Sequence, residues 1–284
     1  MPQSPPIVTL LTDFGLQDEY VGVMKGVILK TLGMGSSTQI IDLCHSIEPQ
    51  DILGAAYVLF SAYKYFPSGT VNVVVVDPGV GSDRKVICLK TKQYIFLAPD
   101  NGVLSFVVAH DTPEIIIEVT NRKYFLPEIS NTFHGRDIFA PVAAHLVNGV
   151  KPDELGEEIF KIREIDIPVP VLSSNNVLTA EVIYTDHFGN IITNVDGCAL
   201  EKIKSAIKNK DDGDVNLTND GLSIVIANRT IKGISKSYSG VKAGELVALF
   251  GSTGYLEIAV NKGNAKKLLN VNRGDKVAIN TGNQ

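Results

Sequence analysis

The sequence predicts an α/β fold class with two domains: an N-terminal α/β domain whose central, mostly parallel sheet is flanked by helices, and a C-terminal antiparallel β-barrel domain. Its 284 residues suit two medium-sized domains. Through about residue 165, short apolar runs alternate with longer helical patterns, which is typical of a sheet covered by helices. Later strands are shorter and separated by glycine-rich turns, which favours a small antiparallel barrel or sandwich. We therefore place the domains at 1–165 and 177–284, with a linker at 166–176.

The first domain is predicted to alternate strands and helices. The strands are apolar runs bounded by turn residues, at Ile7–Leu11, Gln39–Cys44, Val71–Val76, Val86–Leu89, Tyr94–Leu97 and Ile115–Val119. The helices, identified by helical spacing, a capping residue or a preceding glycine, are Asp18–Leu32, Asp51–Tyr65 and Arg136–Val147. Val73–Val76 is apolar on successive residues, so we expect a central strand buried on both faces.

Residues 165–176, which contain the linker, read IDIPVPVLSSNN, where two prolines and a run of Ser and Asn are expected to break any regular element. After it, the predicted elements are strands at Leu178–Tyr184, Leu222–Ala227, Leu246–Phe250 and Leu256–Val260, with one helix near Leu200–Lys208.

Composition and charge argue against several classes of function. The formal net charge is -5, so no basic surface is evident and nucleic acid is not an expected partner. Cys44, Cys88 and Cys198 are isolated, with neither zinc-site spacing nor the density of a disulfide framework. The N-terminal apolar run is too short for a signal peptide, and no apolar stretch approaches the ~20 residues of a membrane span. We expect a cytoplasmic protein with no membrane partner.

Three predicted strands of the first domain end on an aspartate followed by a turn, at Asp13, Asp77 and Asp100. In open sheets with helical crossovers, ligands bind beyond the carboxyl ends of the strands, so these acids are expected to line one rim. Aspartate before Pro-Gly or Asn-Gly is also ordinary turn chemistry. For Asp100 both interpretations stay open.

Asp77 differs from the other two because it follows four valines and precedes a glycine-rich turn that leads to Arg84. An arginine within reach favours the ionised carboxylate and lowers its pKa. The segment NTFHGRDIFAP places His134 before a helix start, and imidazole is the usual group for proton transfer near neutral pH, although a lone histidine is more often structural. There is no GxGxxG, GxxxxGK[ST], HExxH or CxxC motif, so neither a cofactor nor a metal is predicted.

In the second domain, TDHFGNIITN and FGSTGYLEIAVNKGN gather polar and small residues around an aromatic side chain, Phe188 in one and Tyr255 in the other. Asn190 offers both a donor and an acceptor, and Asp186 can accept hydrogen bonds from an ammonium group. On the residues alone, both segments are equally consistent with two turns.

Six segments carry the most informative pattern: TDFGLQDEYVGVMKG, VVVVDPGVGSDRK, APDNGVLS, TFHGRDIFAPVAAHL, YTDHFGNIITNV and GSTGYLEIAVNKGNA. In this order and at this spacing they resemble the S-adenosyl-L-methionine (SAM) hydroxide adenosyltransferases, a family related to the fluorinating and chlorinating adenosyl enzymes. The resemblance covers essentially the whole chain. The ordered set is specific, although each segment alone is a weak signal.

The resemblance implies a homotrimer whose active sites lie where the first domain of one subunit meets the second domain of the next. It implies that Asp77, Arg84 and His134 surround an attacking water. The substrate-binding residues that it implies are Asp13 at the ribose hydroxyls, Asp18 in the same motif, Phe133 near the substrate, Asp186 and Ser252 at the methionine amino acid group, Asn190 at adenine, and the aromatic residues Phe188 and Tyr255.

The implied reaction is hydrolysis of SAM to adenosine and L-methionine by in-line attack of water or hydroxide at C5′. The sulfonium makes methionine a good neutral leaving group, so the main tasks are to align the reactants and to exclude bulk water. The attacking water must lose a proton, and both His134 and Asp77 are candidates to receive it.

Two alternatives stay open. The first is a halide-dependent SAM adenosyl transferase, which is disfavoured because a carboxylate at Asp77 repels a halide ion and the halide-using relatives carry neutral groups there and at His134. Gln50, Gly135 and Thr253 also depart from the fluorinating enzymes, which carry an aromatic residue, a serine and an arginine at those places. The second alternative is a non-catalytic protein that binds adenosine or SAM.

Overall fold

A computed structural model describes residues 5–208 and 221–281 of the chain. The chain forms two compact units, Met1–Ile167 and Pro168–Gln284, and each has its own apolar core. The boundary between the units falls within residues 166–176. Among the described residues, no helix combines the length and the apolar character needed to cross a membrane.

The first unit is built on a seven-stranded sheet. Its strands are β1 (Ile7–Thr12), β2 (Gln39–Cys44), β3 (Val71–Val75), β4 (Val86–Thr91), β5 (Ile95–Pro99), β6 (Pro113–Val119) and β7 (Gly156–Glu158). All the strands predicted for this unit form, with bounds that differ by no more than two residues, whereas β7 was not predicted. As expected from the run of valines, every residue of β3 is buried.

The strand order is β2-β1-β3-β5-β4-β6-β7. The pairings among β2, β1, β3 and β5 are parallel, and those from β5 through β4 and β6 to β7 are antiparallel. The sheet is therefore mixed, and the expectation of a mostly parallel sheet holds for only one half of it. The reason is local: residues 92–94 alone join β4 to β5, which is too short for the crossover that parallel neighbours require.

Helices flank this sheet. They are α1 (Tyr20–Leu32), α2 (Ile52–Ala62), α3 (Ser105–His110) and α4 (Ala140–Val147). Met24 of α1 and Val142 of α4 share one core cluster with Val8 of β1. The side chain of Asp51 caps α2 by accepting a hydrogen bond from Gly54 N at 2.9 Å. The predicted capping role of Asp51 is confirmed.

The second unit is a nearly closed antiparallel sheet. Its elements are β8 (Val171–Leu172), β9 (Leu178–Thr185), β10 (Ile191–Asp196), α5 (Gly197–Lys208), β11 (Leu222–Ile226), β12 (Arg229–Lys232), β13 (Leu246–Phe250), β14 (Tyr255–Val260), α6 (Ala265–Leu269) and β15 (Lys276–Thr281). The order is β12-β11-β15-β9-β10-β14-β13, and a bridge between Ser235 and Leu249 joins the segment after β12 to β13. The predicted barrel is confirmed. One expectation is corrected: β8 forms inside the linker sequence, where no regular element was expected, and pairs with β9.

Candidate active site

The first unit contains a cavity at the carboxyl ends of β1 and β3. These strands are parallel neighbours, so Asp13 and Asp77, which follow them, emerge at the same edge of the sheet. Both aspartates line a cavity of ≈ 330 Å³ together with Gln50, Phe133 and His134. Residues from distant parts of the sequence therefore share one site.

Asp77 and Arg84 form a buried ion pair. Nη2 of Arg84 donates to Oδ2 of Asp77, and the two side chains are only 5% and 4% exposed respectively. Burial raises the pKa of Asp77 above its ordinary value, although Arg84, His134 and the nearby backbone N–H of Gly79 act in the opposite direction. Arg84 therefore lowers this pKa, as expected from the sequence, but the loss of hydration outweighs the ion pair and the net shift is upward.

Two buried atoms of the pair, Asp77 Oδ1 and Arg84 Nε, have no hydrogen-bond partner among the residues that the structure describes. Leaving a buried donor or acceptor unpaired costs about 1–3 kcal/mol. The pair thus retains one acceptor and one donor after its internal contact is made. Asp77 also lines the cavity, so the pair lies next to any molecule bound there.

His134 contacts the same guanidinium. Nη2 of Arg84 lies 3.3 Å from Nδ1 of His134. A guanidinium only donates, so Nδ1 acts as the acceptor and the hydrogen of the neutral ring is carried by Nε2. Burial lowers the pKa of His134, and the positive charge of Arg84 lowers it further. The imidazole is therefore favoured in its neutral form.

The loop that carries His134 is fixed by a buried carboxylate. Asp137 is fully buried and accepts hydrogen bonds from Ser130 N at 2.8 Å and from Arg136 Nε at 2.6 Å. The chain forms a π-helical turn at Gly135–Phe139 before it enters α4. The predicted helix therefore begins with a wider turn, a feature that is frequent at functional sites.

Asp13 is held by the backbone. Gln50 N donates to Asp13 Oδ2 at 2.8 Å, and Gln50 adopts a left-handed backbone conformation with a φ of 66°. Next to Asp13, the rings of Phe14, Tyr20 and Phe133 pack against one another with centroid distances of 5.6, 5.9 and 5.1 Å. Phe14 and Phe133 belong to the cavity wall, so one side of the site is aromatic.

Asp18 and Asp100, two of the aspartates singled out in the sequence, lie outside the cavity wall, and Arg84 is connected to the cavity through Asp77. Asp18 is exposed in the loop before α1. Asp100, for which two interpretations stayed open, accepts a hydrogen bond from Arg163 N at 2.7 Å and so ties down a distant segment. Its contact is that of a structural residue.

The second unit holds the other predicted binding residues. Asp186 accepts hydrogen bonds from N and Nδ2 of Asn190 at 2.8 and 2.9 Å, so this amide group is already oriented by the carboxylate. Phe188 is 72% exposed on the turn between β9 and β10. Ser252 is exposed on the turn before β14, and Tyr255 is buried at the start of that strand.

Sequence reasoning missed a buried carboxyl in this unit, Glu257 on β14. It is 7% exposed and accepts a hydrogen bond from Tyr238 Oη at 2.6 Å. Burial raises its pKa, and the negative charge of Asp186 raises it further. The signal was present, since a glutamate interrupts the apolar run of YLEIAV.

The fold and the site together define a protein with an α/β unit, a barrel unit and a buried carboxylate–guanidinium–imidazole set beside a cavity. Among the described residues, no group of three His, Cys, Asp or Glu side chains is placed to hold a metal ion. The chain belongs to the SAM hydroxide adenosyltransferase family: residues 8–156 match its N-terminal domain and residues 180–278 match its C-terminal domain. The family predicted from the six segments is confirmed.

Full-length relatives carry specific names. The chain is 38% identical to an (R)-S-adenosyl-L-methionine hydrolase of Methanocaldococcus jannaschii, over 96% of this chain and 95% of the relative. It is 33% identical to a protein of the same name from Salinispora tropica, over 98% of both chains. A fluorinase of Actinoplanes sp. is 29% identical over 69% of this chain and 74% of the relative.

A solved structure has a similar arrangement of helices and strands. An uncharacterized conserved protein from Thermotoga maritima has 38% sequence identity and a TM-score of 0.85, over 96% of this chain and 99% of that chain.

Proposed function

We propose that the protein hydrolyses SAM to adenosine and L-methionine by in-line attack of water at C5′. The observation that carries this proposal is the buried Asp77–Arg84 pair, which presents an unpaired carboxylate oxygen beside the cavity. The family membership and the names of the full-length relatives support the substrate and the reaction. Those names specify the (R) form of the substrate, and we propose the same form here.

The proton of the attacking water goes to Asp77 in this proposal. The water oxygen bonds to C5′, the C5′–S bond breaks, and its electron pair leaves with sulfur as the neutral thioether of methionine. The leaving group needs no proton, so only the water requires an acceptor. Asp77 Oδ1 is unpaired and its pKa is raised by burial, which makes it a better base than an ordinary aspartate.

His134 orients the pair and does not act as the base. Its Nδ1 lone pair accepts from Arg84, and its other ring nitrogen carries the hydrogen, so the neutral ring has no nitrogen left to take a proton. Its role is to hold the guanidinium against Asp77. The sequence left the choice of base open, and the hydrogen-bond direction at this ring is what favours Asp77.

A halide nucleophile fits the same atoms less well. Water can donate a hydrogen bond to Asp77 Oδ1, whereas a halide ion only accepts. A halide would leave the carboxylate oxygen unpaired and would be repelled by its charge. Two fluorinase relatives are 29% and 26% identical to this chain, below the 33% and 38% of the two hydrolase relatives, which agrees with this preference.

We propose that Asp13 holds the ribose hydroxyls and that Phe133 packs against the substrate. For the remaining binding residues, Asp18, Asp186, Phe188, Asn190, Ser252 and Tyr255, we keep the roles that the family resemblance implies. We also propose a homotrimer in which the second domain of a neighbouring subunit completes each site, and a cytoplasmic location. Light scattering of the purified protein tests the trimer, since a monomeric mass with full activity contradicts the shared site.

Labelled water tests the reaction directly. The protein is incubated with SAM in ¹⁸O-water, and the masses of the products are measured. We expect adenosine that carries ¹⁸O at the 5′ oxygen, in equal amount to methionine. Asp77→Asn should lower kcat by about 100-fold or more, as expected when a general base is lost. Asp83→Asn, which changes an exposed carboxyl in the same loop, is the matched control and should leave the rate unchanged.

Three results contradict the hydrolase. Adenosine that contains no ¹⁸O means that solvent water is not the nucleophile. Formation of 5′-halo-5′-deoxyadenosine when chloride or fluoride is supplied identifies a halide-dependent transferase. Tight binding of SAM in calorimetry without any product over hours identifies a non-catalytic binding protein.

A further inference from the structure

We infer that Thr12, His45 and Asp42 form a positioning relay that sets the loop at residues 13–15 for the substrate. The inference rests on the proposed function, because it assigns these residues to the alignment of a bound nucleoside. None of the three lines the cavity, so none is a catalytic residue.

The relay is a chain of close polar contacts. Thr12 is fully buried and His45 is 4% exposed, and Thr12 Oγ1 lies 2.8 Å from His45 Nδ1. On the other side of the ring, Asp42 Oδ1 lies 2.9 Å from Nε2, at ion-pair distance but without the angles of a well-formed hydrogen bond. Lys25 Nζ donates to the second oxygen of Asp42 at 2.6 Å.

Asp42 sets the direction of the hydrogen bonds. Burial raises the pKa of Asp42, but its contacts with His45 and Lys25 outweigh burial, so the net pKa is lowered and the carboxylate is ionised. In the neutral ring, an ionised carboxylate beside Nε2 favours the hydrogen on that nitrogen, which leaves Nδ1 as an acceptor. The Thr12 hydroxyl therefore donates to His45, and its oxygen accepts from Phe14 N at 3.2 Å.

The same region holds the loop at two further points. Gly15 N donates to His45 O at 2.7 Å, and a φ of 71° at Gly15 makes this position favourable for glycine. Gln50 N, five residues after His45, donates to Asp13 Oδ2 at 2.8 Å. The loop is thus held by two hydrogen bonds to side chains, those of Thr12 and Asp13, and by one backbone hydrogen bond, from Gly15. Asp13, which we propose to bind ribose, lies in the middle of these attachments.

Thr9 provides a matched comparison on the same strand. It is also fully buried, and its hydroxyl donates to Asn72 Oδ1 at 2.8 Å inside the sheet. Each threonine therefore makes one buried side-chain hydrogen bond, but only Thr12 is bonded to the cavity loop. A purely structural role predicts equal consequences for the two hydroxyls, whereas a positioning role predicts different ones.

The experiment compares Thr12→Val with Thr9→Val in the full chain. Binding of adenosine is measured by calorimetry, kcat and KM with SAM are measured separately, and thermal unfolding reports stability. We expect Thr12→Val to weaken adenosine binding and to raise KM by about ten-fold, and Thr9→Val to change both by less than about two-fold at a similar loss of stability. Thr12→Ser restores the hydroxyl and should return the affinity for adenosine close to that of the wild type.

Equal effects of the two valine variants on adenosine binding overturn the relay, and so does a failure of Thr12→Ser to restore binding. If Thr12→Val does not fold, Asp42→Asn replaces it: removing this charge should weaken adenosine binding, and unchanged affinity contradicts the inference. A wild type that binds adenosine but hydrolyses no SAM contradicts the proposed function alone, because calorimetry needs no turnover. A wild type that binds neither molecule contradicts both.

Discussion

Replacing Arg84 with methionine leaves the buried carboxylate of Asp77 without its positively charged partner. Arg84→Met keeps an unbranched side chain of similar reach but removes the guanidinium that donates to Asp77 Oδ2. The Asp77 side chain is 4% exposed, so solvent cannot replace the lost contact without rearrangement. Removing one member of a buried pair in this way typically costs about 3–5 kcal/mol.

The stability lost in Arg84→Met should depend on pH, and whether it grows or shrinks with pH follows from the direction of the pKa shift at Asp77. Burial already raises the pKa of Asp77 in the folded wild type, and loss of Arg84 raises it further. A raised folded pKa stabilises the protein fully below the unfolded pKa of ~3.9, and this stability is lost as pH rises toward the folded pKa. The loss amounts to about 1.4 kcal/mol per pH unit within that window.

Urea unfolding of the wild type and Arg84→Met, followed by circular dichroism from about pH 4 to about pH 8, measures this dependence. We expect the stability difference between the two proteins to grow as pH rises. The double variant Asp77→Asn, Arg84→Met contains no carboxyl at this place, so its pH dependence should lack this component. A stability difference that stays flat with pH, or a double variant that keeps the slope of Arg84→Met, refutes the reasoning.

Three further predictions follow from other contacts. The pKa of His134 is lowered by burial, so its NMR titration midpoint should lie below the ordinary value of about 6.5, and a midpoint above that value contradicts its neutral form. Gly81→Ala places a Cβ 2.2 Å from a backbone oxygen of the loop before His134. It should therefore lower stability and kcat more than Gly33→Ala, since Gly33 has a similar positive φ but no atom within 4 Å of an added Cβ. Equal effects of the two variants on kcat in enzyme assays contradict a role for the contact between Gly81 and this loop. Tyr238→Phe removes the donor to buried Glu257 and should cost about 1–3 kcal/mol in thermal unfolding, and an unchanged melting temperature contradicts this.

The strands with continuous apolar runs could be predicted from the sequence, because an apolar run bounded by turn residues is a local signal. β10 could not, since Thr193 and Asn194 make it look like part of a turn. Both side chains are buried, and their partners are Leu256 O for Thr193 and Pro168 O for Asn194, which are distant in sequence. Tertiary hydrogen bonds of this kind override local polarity. The direction of β4, in contrast, was predictable from the short connection to β5.

In the candidate site, too, some features could be predicted from the sequence and others could not. The aspartates at strand ends were predictable because parallel neighbours end at one edge of the sheet. The sign of the pKa shift at Asp77 was not, because sequence reveals the nearby arginine but not the depth of burial that opposes it. His45 was missed because a single histidine between a cysteine and a serine has no pattern, and its significance comes only from its contacts with Thr12 and Asp42.

The ion pair at the cavity is better explained by a polar ligand than by stability. Apolar side chains of similar volume often stabilise a core as well as a buried ion pair does, so folding alone gives little reason for Asp77 and Arg84 to be there. Their contact also leaves one acceptor and one donor unpaired among the described residues, each at a cost of about 1–3 kcal/mol. A water bound in the cavity that donates to Asp77 Oδ1 removes part of that cost and is thereby held beside a base. The carboxylate oxygen whose unpaired state weakens the fold is therefore the one that the proposed hydrolysis needs.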